Sequence, residues 1–139
     1  VDESVDFDEV ARTIVRMAGA IASTDHAVEV ITTGTFGTIS ADQAQALATV
    51  LNELVANSVE HGLADRDGRI EVCAQRDNLS MKVTVADDGV GFVPGTPMSG
   101  LGTQIVHQMV RGELRGSIEW APREGGGTLV TLLINLDPA

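Results

Sequence analysis

The chain has 139 residues and a formal net charge of -11, with 43% hydrophobic and 21% charged residues. That length fits a single domain burying roughly two thirds of its unfolded surface, and the composition excludes a disordered chain. The acid excess, a single Trp and no Tyr exclude a nucleic-acid or anionic-membrane surface, while one Cys leaves no internal disulfide and no Cys-based zinc site. No apolar run approaches a membrane span and no signal peptide is visible, so the expected setting is cytoplasmic, without direct membrane contact. The start at Val1 rather than Met suggests a piece of something longer.

Taken in chain order, Asp6 and Glu9 form a capping-box pattern. Phe7, Val10, Ile14, Met17 and Ile21, with Ala11 and Ala18, then recur at helical spacing and predict an amphipathic helix over 7–22. The β-branched alternation over 26–33 predicts a strand ending at Gly34 and Gly37. Ser40 and Gln43 repeat the capping pattern ahead of a helix with its core stripe at Ala44, Leu47, Leu51, Leu54 and Ser58. Gly62 reads as the stop after that helix, a C′ glycine rather than a site residue.

Two alternating strands follow. Ile70, Val72 and Ala74 share one face of the first, and Leu79, Met81, Val83 and Val85 share one face of the second, with the turn at Arg76, Asp77 and Asn78. Pro94, Gly95 and Pro97 mark a loop, a helix is predicted over 101–110, and strands over 117–121 and 128–136 close the chain. With no repeat and no long linker, this mixture predicts an α+β two-layer sandwich, its helices on one face of a mixed β-sheet.

Three runs carry chemistry. Asn52-Glu-Leu-Val-Ala-Asn57-Ser-Val-Glu60-His61 ends the second helix, Asp87-Asp-Gly-Val-Gly91 leaves a strand, and Gly100-Leu-Gly102-Thr103 opens a helix. On a helical wheel Asn57 flanks the core stripe, with Glu53 and Glu60 further round the same side and Ala46 and Val50 between them. An Asn carbonyl and waters held by a Glu are oxygen ligands that Mg²⁺ accepts, with nucleotide phosphates completing its shell. The alternative is a helix flank that is polar by chance.

Asp87 is in phase with the four core residues of its strand, so its carboxylate points into the sandwich and needs a partner, such as the amino group of a purine. The alternative is an Asp that merely starts a turn. Asp88 faces solvent, and Gly89 and Gly91 let the backbone approach a flat base closely. Thr128 is in phase with Val130, Leu132, Ile134 and Leu136, where its hydroxyl can reach the base or a water beside it. Glycines at the start of the third helix offer free N–H groups and a partial positive charge to phosphates. Cys73 reads as a half-buried strand residue, Trp120 as a core or sheet-face aromatic, and His26 and His107, with no Glu or Asp partner at catalytic spacing, as surface or packing residues. A serine-hydrolase elbow, a Walker lysine loop and a His-Glu-x-x-His zinc helix are absent.

From about Ser40 to Leu136 the chain resembles the Bergerat-type ATP-binding fold of gyrase B, heat-shock chaperone ATPases and sensor histidine kinases. Residues 52–61 are similar to that family's N box, 87–91 and 100–103 to its two glycine boxes, and Gly126-Gly-Thr128 to its closing Gly-Thr. The resemblance implies ATP and Mg²⁺ as cofactors. Asn57 would coordinate the metal, Asp87 the adenine amino group, and Glu53 the acceptor or water near the γ-phosphate. Gly91 would lie against the base and Gly100 and Gly102 would cradle phosphates. His61, Gly89, Leu101, Thr103 and Thr128 would complete the nucleotide site.

Within the fold, the chain most resembles the catalytic domain of bacterial two-component sensor kinases with a reduced lid, since only eight residues separate Gly91 from Gly100. The nearest likeness is to actinobacterial cytosolic sensor kinases whose partner is an RNA-binding antitermination regulator. The sequence departs from many members in having Glu60 where they have Lys, leaving phosphate charge to Mg²⁺, backbone N–H groups or Arg66. No His of this chain fits a phosphoacceptor helix. The resemblance therefore implies one catalytic domain over 1–139, with 1–6 a stub after a missing hairpin. It would phosphorylate a histidine on a separate helical phosphoacceptor domain, in cis or in trans, for relay to a response regulator. An anti-sigma-factor serine kinase of the same fold and a non-catalytic ATP-binding switch are the competing readings.

Overall fold

The computed structural model describes residues 3–22, 25–64, 66–90 and 101–137. Its elements in order are β1 (Ser4–Asp6), α1 (Phe7–Ala22), β2 (Val28–Gly34), β3 (Thr38–Ser40), α2 (Ala41–Asn57), β4 (Gly68–Arg76), β5 (Ser80–Asp87), α3 (Leu101–Arg111), β6 (Ser117–Pro122) and β7 (Thr128–Asn135). A π-helical turn, Ser58–Gly62, prolongs α2. Five strands form one mixed sheet in the order β2-β4-β5-β7-β6, in which β2 and β4 are parallel and every other pair is antiparallel.

The alternation that predicts the strands also explains the layers. Ile70, Val72 and Ala74 of β4, Met81, Val83 and Val85 of β5, and Val130, Leu132 and Ile134 of β7 are all buried on the face covered by the helices. Ala44, Leu47, Leu51 and Leu54 of α2, and Ser58 at the start of the π-helical turn, are buried against them, together with Ala46, Val50 and Val55 of α2. Ser40 caps α2 by accepting from the Gln43 N–H at 3.1 Å. The Gln43 side chain reaches back to the Ser40 hydroxyl, its Oε1 accepting at 3.5 Å, while its Nε2 donates to the Asn135 carbonyl at 2.9 Å and fastens α2 to the end of β7.

Three expectations need correction. Residues 4–6, read as a stub, form β1 and pair antiparallel with β3 in a small second sheet. Leu79 is not on the inner face: it is exposed in the turn before β5. The core stripe of α1 is also displaced. Phe7, Ala11, Val15, Ala18 and Gly19 are buried, whereas Val10, Met17 and Ile21 are 37%, 53% and 73% exposed. The helix carries two apolar stripes, and the domain core takes the one with the smaller side chains. Phe7 anchors that stripe against Phe36, with ring centroids 5.5 Å apart, while the Asp8 carboxylate accepts from the Phe36 N–H at 2.6 Å.

Candidate functional site

Asp87 ends β5 with its side chain on the inner face, where only 2% of the residue is exposed. Oδ1 accepts from the Gly89 N–H at 3.0 Å and the Thr128 N–H at 3.3 Å. Burial pushes the Asp87 carboxyl above its ordinary value, and the negative charge of Asp88 adds to the shift. The two backbone N–H groups and the cation of Arg123 oppose it. Thr128 is itself buried at the start of β7, so the parity that turns both residues inward holds.

Gly62 is a wall of this site. A Cβ there would lie 2.2 Å from Oδ2 of Asp87, a distance no side chain tolerates. Its φ is not positive, so the C′-glycine reading fails. Close approach to the carboxylate explains it instead. Gly89 in turn rests on Gly62, whose carbonyl accepts from the Val90 N–H at 2.8 Å. On the other side Gly127, with φ +101°, packs on the Asp87 backbone, where a Cβ would fall 1.9 Å from the carbonyl oxygen.

Asn57 and Glu53 are both half-buried on α2, the amide ending the regular helix. Beyond Asn57 the chain winds more widely, closed by the Leu63 N–H donating to the Ser58 carbonyl at 2.7 Å. A wheel drawn at α-helical pitch therefore stops applying, and Glu60 and His61 are exposed. Leu101, Gly102 and Thr103 form the first turn of α3, with Thr103 buried. Gly91, Gly100 and the loop between them lie outside the described residues.

The other histidines divide. His107 packs on Trp120 with ring centroids 5.4 Å apart, a structural contact. His26 is a surface residue, as expected; its Nδ1 lies 3.7 Å from Oδ1 of Asp67, an exposed pair brought together by the fold. Asp88 is exposed as predicted and accepts from the Arg69 N–H at 2.8 Å, and Cys73 is half-buried. Sequence reasoning missed Arg123, whose Nη1 donates to the Gly126 carbonyl at 3.1 Å in the loop that packs on Asp87. Nothing in its spacing announces that position.

The arrangement is a buried acceptor of hydrogen bonds, walled by glycine backbone, one wall being Gly62 of the turn that prolongs the helix bearing Glu53 and Asn57. Comparison with known proteins identifies the family. A family model described as histidine kinase-, DNA gyrase B-, and HSP90-like ATPase matches residues 42–138. The sensor histidine kinases PdtaS of Mycobacterium tuberculosis and of Mycolicibacterium smegmatis are each 35% identical over 96% of this chain, which spans 28% of their length. Among solved structures, the histidine kinase domain of the Erythrobacter litoralis EL346 blue-light activated kinase superposes with a TM-score of 0.82 at 25% identity, over 95% of this chain and 62% of that one. The catalytic domain of histidine kinase ThkA superposes with a TM-score of 0.75 at 21% identity, over 100% and 99% of the two chains, and shows the same fold. The chain therefore belongs to the histidine kinase-, DNA gyrase B- and HSP90-like ATPase family, as an ATP-binding domain.

Proposed function

We propose that this chain is the catalytic module of a cytoplasmic sensor histidine kinase, which transfers the γ-phosphoryl of ATP to a histidine on a separate helical phosphoacceptor segment, for relay to a response regulator. The observation that carries it is the inward-facing Asp87 carboxylate between Gly62, Gly89 and Thr128. Its Oδ2 is turned toward Gly62, and the bonds from the Gly89 and Thr128 N–H groups both fall on Oδ1. On this reading the exocyclic amino group of adenine donates to Oδ2, and the glycines that pack on Asp87 let backbone, rather than side chains, surround that contact.

No cluster of three or more His, Cys, Asp or Glu among the described residues could hold a metal ion. Asn57, with Glu53 one turn before it, instead fits Mg²⁺, which takes one or two protein ligands plus phosphate oxygens. When bound, Mg²⁺ would neutralise phosphate charge that a chain of net charge -11 otherwise repels. Asn57 would hold that ion through its side-chain oxygen. Glu53 would orient the acceptor imidazole, and the first turn of α3, at Leu101, Gly102 and Thr103, would present N–H groups to the phosphates. His61 is assigned to the rim of the site. In the transfer the imidazole nitrogen bonds to the γ-phosphorus, the bond to the β,γ-bridging oxygen breaks, and ADP leaves. Catalysis is then positioning and charge neutralisation.

Labelled ATP tests the reading. Label is expected on a histidine of the phosphoacceptor segment supplied in cis or in trans. Label on a serine of an antagonist protein would make the chain an anti-sigma-factor kinase, and binding without transfer would make it a switch. Unchanged Mg-ATP affinity in both Asn57→Ala and Asp87→Ala would refute the nucleotide site itself.

A further inference from the structure

The second apolar stripe of α1 touches the core only at Ile14, and its other three side chains, Val10, Met17 and Ile21, are exposed among the described residues. Val10, Ile14, Met17 and Ile21 are spaced four, three and four residues apart, the spacing of a helix–helix seam. Ile14 is half-buried, and the other three are half of the six exposed large hydrophobics among the described residues. The residues flanking the stripe at Thr13 and Ala20 are small and exposed, so a second helix can approach closely. These exposures amount to on the order of 300 Å² of apolar surface, a patch of the size that is often functional on a monomer. It is also well below the roughly 800 Å² per partner of a standard stable interface. A free second copy of the domain is therefore a poor occupant. A helix joined to the same polypeptide is a good one, because tethering supplies the effective concentration that so small an area lacks. The sensor kinases that this chain matches are more than three times its length.

We infer that the Val10–Ile14–Met17–Ile21 stripe is the docking face for an apolar-seamed helix of the phosphoacceptor segment, and that it holds the catalytic domain against that segment. The inference rests on the kinase reading for the identity of the occupant. The face lies on the helix that packs beside α2, the bearer of Glu53 and Asn57, so docking there is coupled to the site through a shared helix layer.

The test uses alkylation by N-ethylmaleimide of a Met17→Cys variant in a Cys73→Ser background. It compares the isolated domain, which buries its own core, with the full natural polypeptide and with that polypeptide lacking the phosphoacceptor segment. Cys at position 17 should react at least tenfold more slowly in the full polypeptide alone, while a Glu119→Cys control on the far side of the sheet reacts equally in all three. Adding Ile21→Glu should restore fast alkylation. In the Met17 background, Ile21→Glu should slow histidine phosphorylation at least tenfold with Mg-ATP affinity unchanged. Equal rates overturn the proposal. So does protection that survives deletion of the segment, or that appears only at raised protein concentration, which assigns the face to a second copy. Protection that depends on the segment, in a protein that never labels a histidine, upholds the docking face and refutes the kinase reading.

Discussion

Asp87→Asn removes one charge and no volume from the buried end of β5. The Asn side-chain oxygen can take the place of Oδ1 and keep the bonds from the Gly89 and Thr128 N–H groups at 3.0 and 3.3 Å. Its NH₂ then replaces Oδ2 beside Gly62, and a donor meets the adenine amino group where an ionised acceptor stood. A hydrogen bond to a charged group contributes about 1.5–3 kcal/mol, so ATP affinity should fall about 10- to 150-fold. Stability should move the other way. Burial raises the folded-state pKa of Asp87 above its ordinary 3.8, so the folded state binds the proton more tightly than the unfolded chain does. Stability of the free domain therefore falls as pH rises from that ordinary value through the raised one, and remains lower above it. Asn carries no such cost. Isothermal titration with ATP and urea unfolding at neutral pH should show weaker binding and a free domain at least as stable as wild type. ATP affinity within twofold of wild type would refute the assignment. Destabilisation by more than about 2 kcal/mol would make the carboxylate structural, because that is the size expected for a lost buried hydrogen-bond network rather than a lost ligand.

The same linkage adds to the wild type a loss of ATP affinity on acidification, with a midpoint above 3.8, that the Asn variant lacks; titration of ATP itself is common to both, so the difference between the two series over a range of pH values reads it. Gly62→Ala puts a methyl group 2.2 Å from Oδ2 and should cost about 1–3 kcal/mol in urea unfolding together with ATP binding. Adding Asp87→Ala should recover much of the stability and none of the binding. Asn57→Ala should remove the Mg²⁺ dependence of ATP affinity and leave metal-free binding unchanged, which titration with and without EDTA separates. Gly127→Ala combines a strained φ of +101° with a contact 1.9 Å from the Asp87 carbonyl and should lower the unfolding midpoint without a pH dependence of its own.

Where a single periodicity governs an element, the sequence is easily read. β5 and β7 alternate without a break, so the inward direction of Asp87 and Thr128 follows from counting along the strand, and the α2 stripe from Ala44 to Ser58 follows from helical spacing. Reading failed where two patterns overlap or where a contact spans the chain. α1 carries two apolar stripes, and only packing against α2 and β2 chooses between them. β1 and β3 have three residues each, too few for alternation to declare itself. Gly62 sits after a helix, as a stop glycine does, and nothing local reports that a carboxylate 25 residues further on lies against it. The π-helical turn that exposes Glu60 and His61 has no signature in the residue pattern.

The position of the site follows from where the central ladder ends. β5 and β7 pair from Ser80 with Asn135 to Ala86 with Leu129, and one step further Asp87 and Thr128 form no ladder pair. There the Thr128 N–H turns from the neighbouring backbone to the Asp87 side chain, and Gly127 closes on the Asp87 carbonyl. On the other edge Asp87 still pairs with Ile70 of β4, which fixes the strand. One flank of the carboxylate is thus held rigidly by sheet, and the other by a glycine loop with no side chains to fill the space. On the proposed reading the ionised Asp87 is costly in the free domain until the adenine amino group donates to it, so the loss of stability there and the gain on binding ATP would have one structural cause.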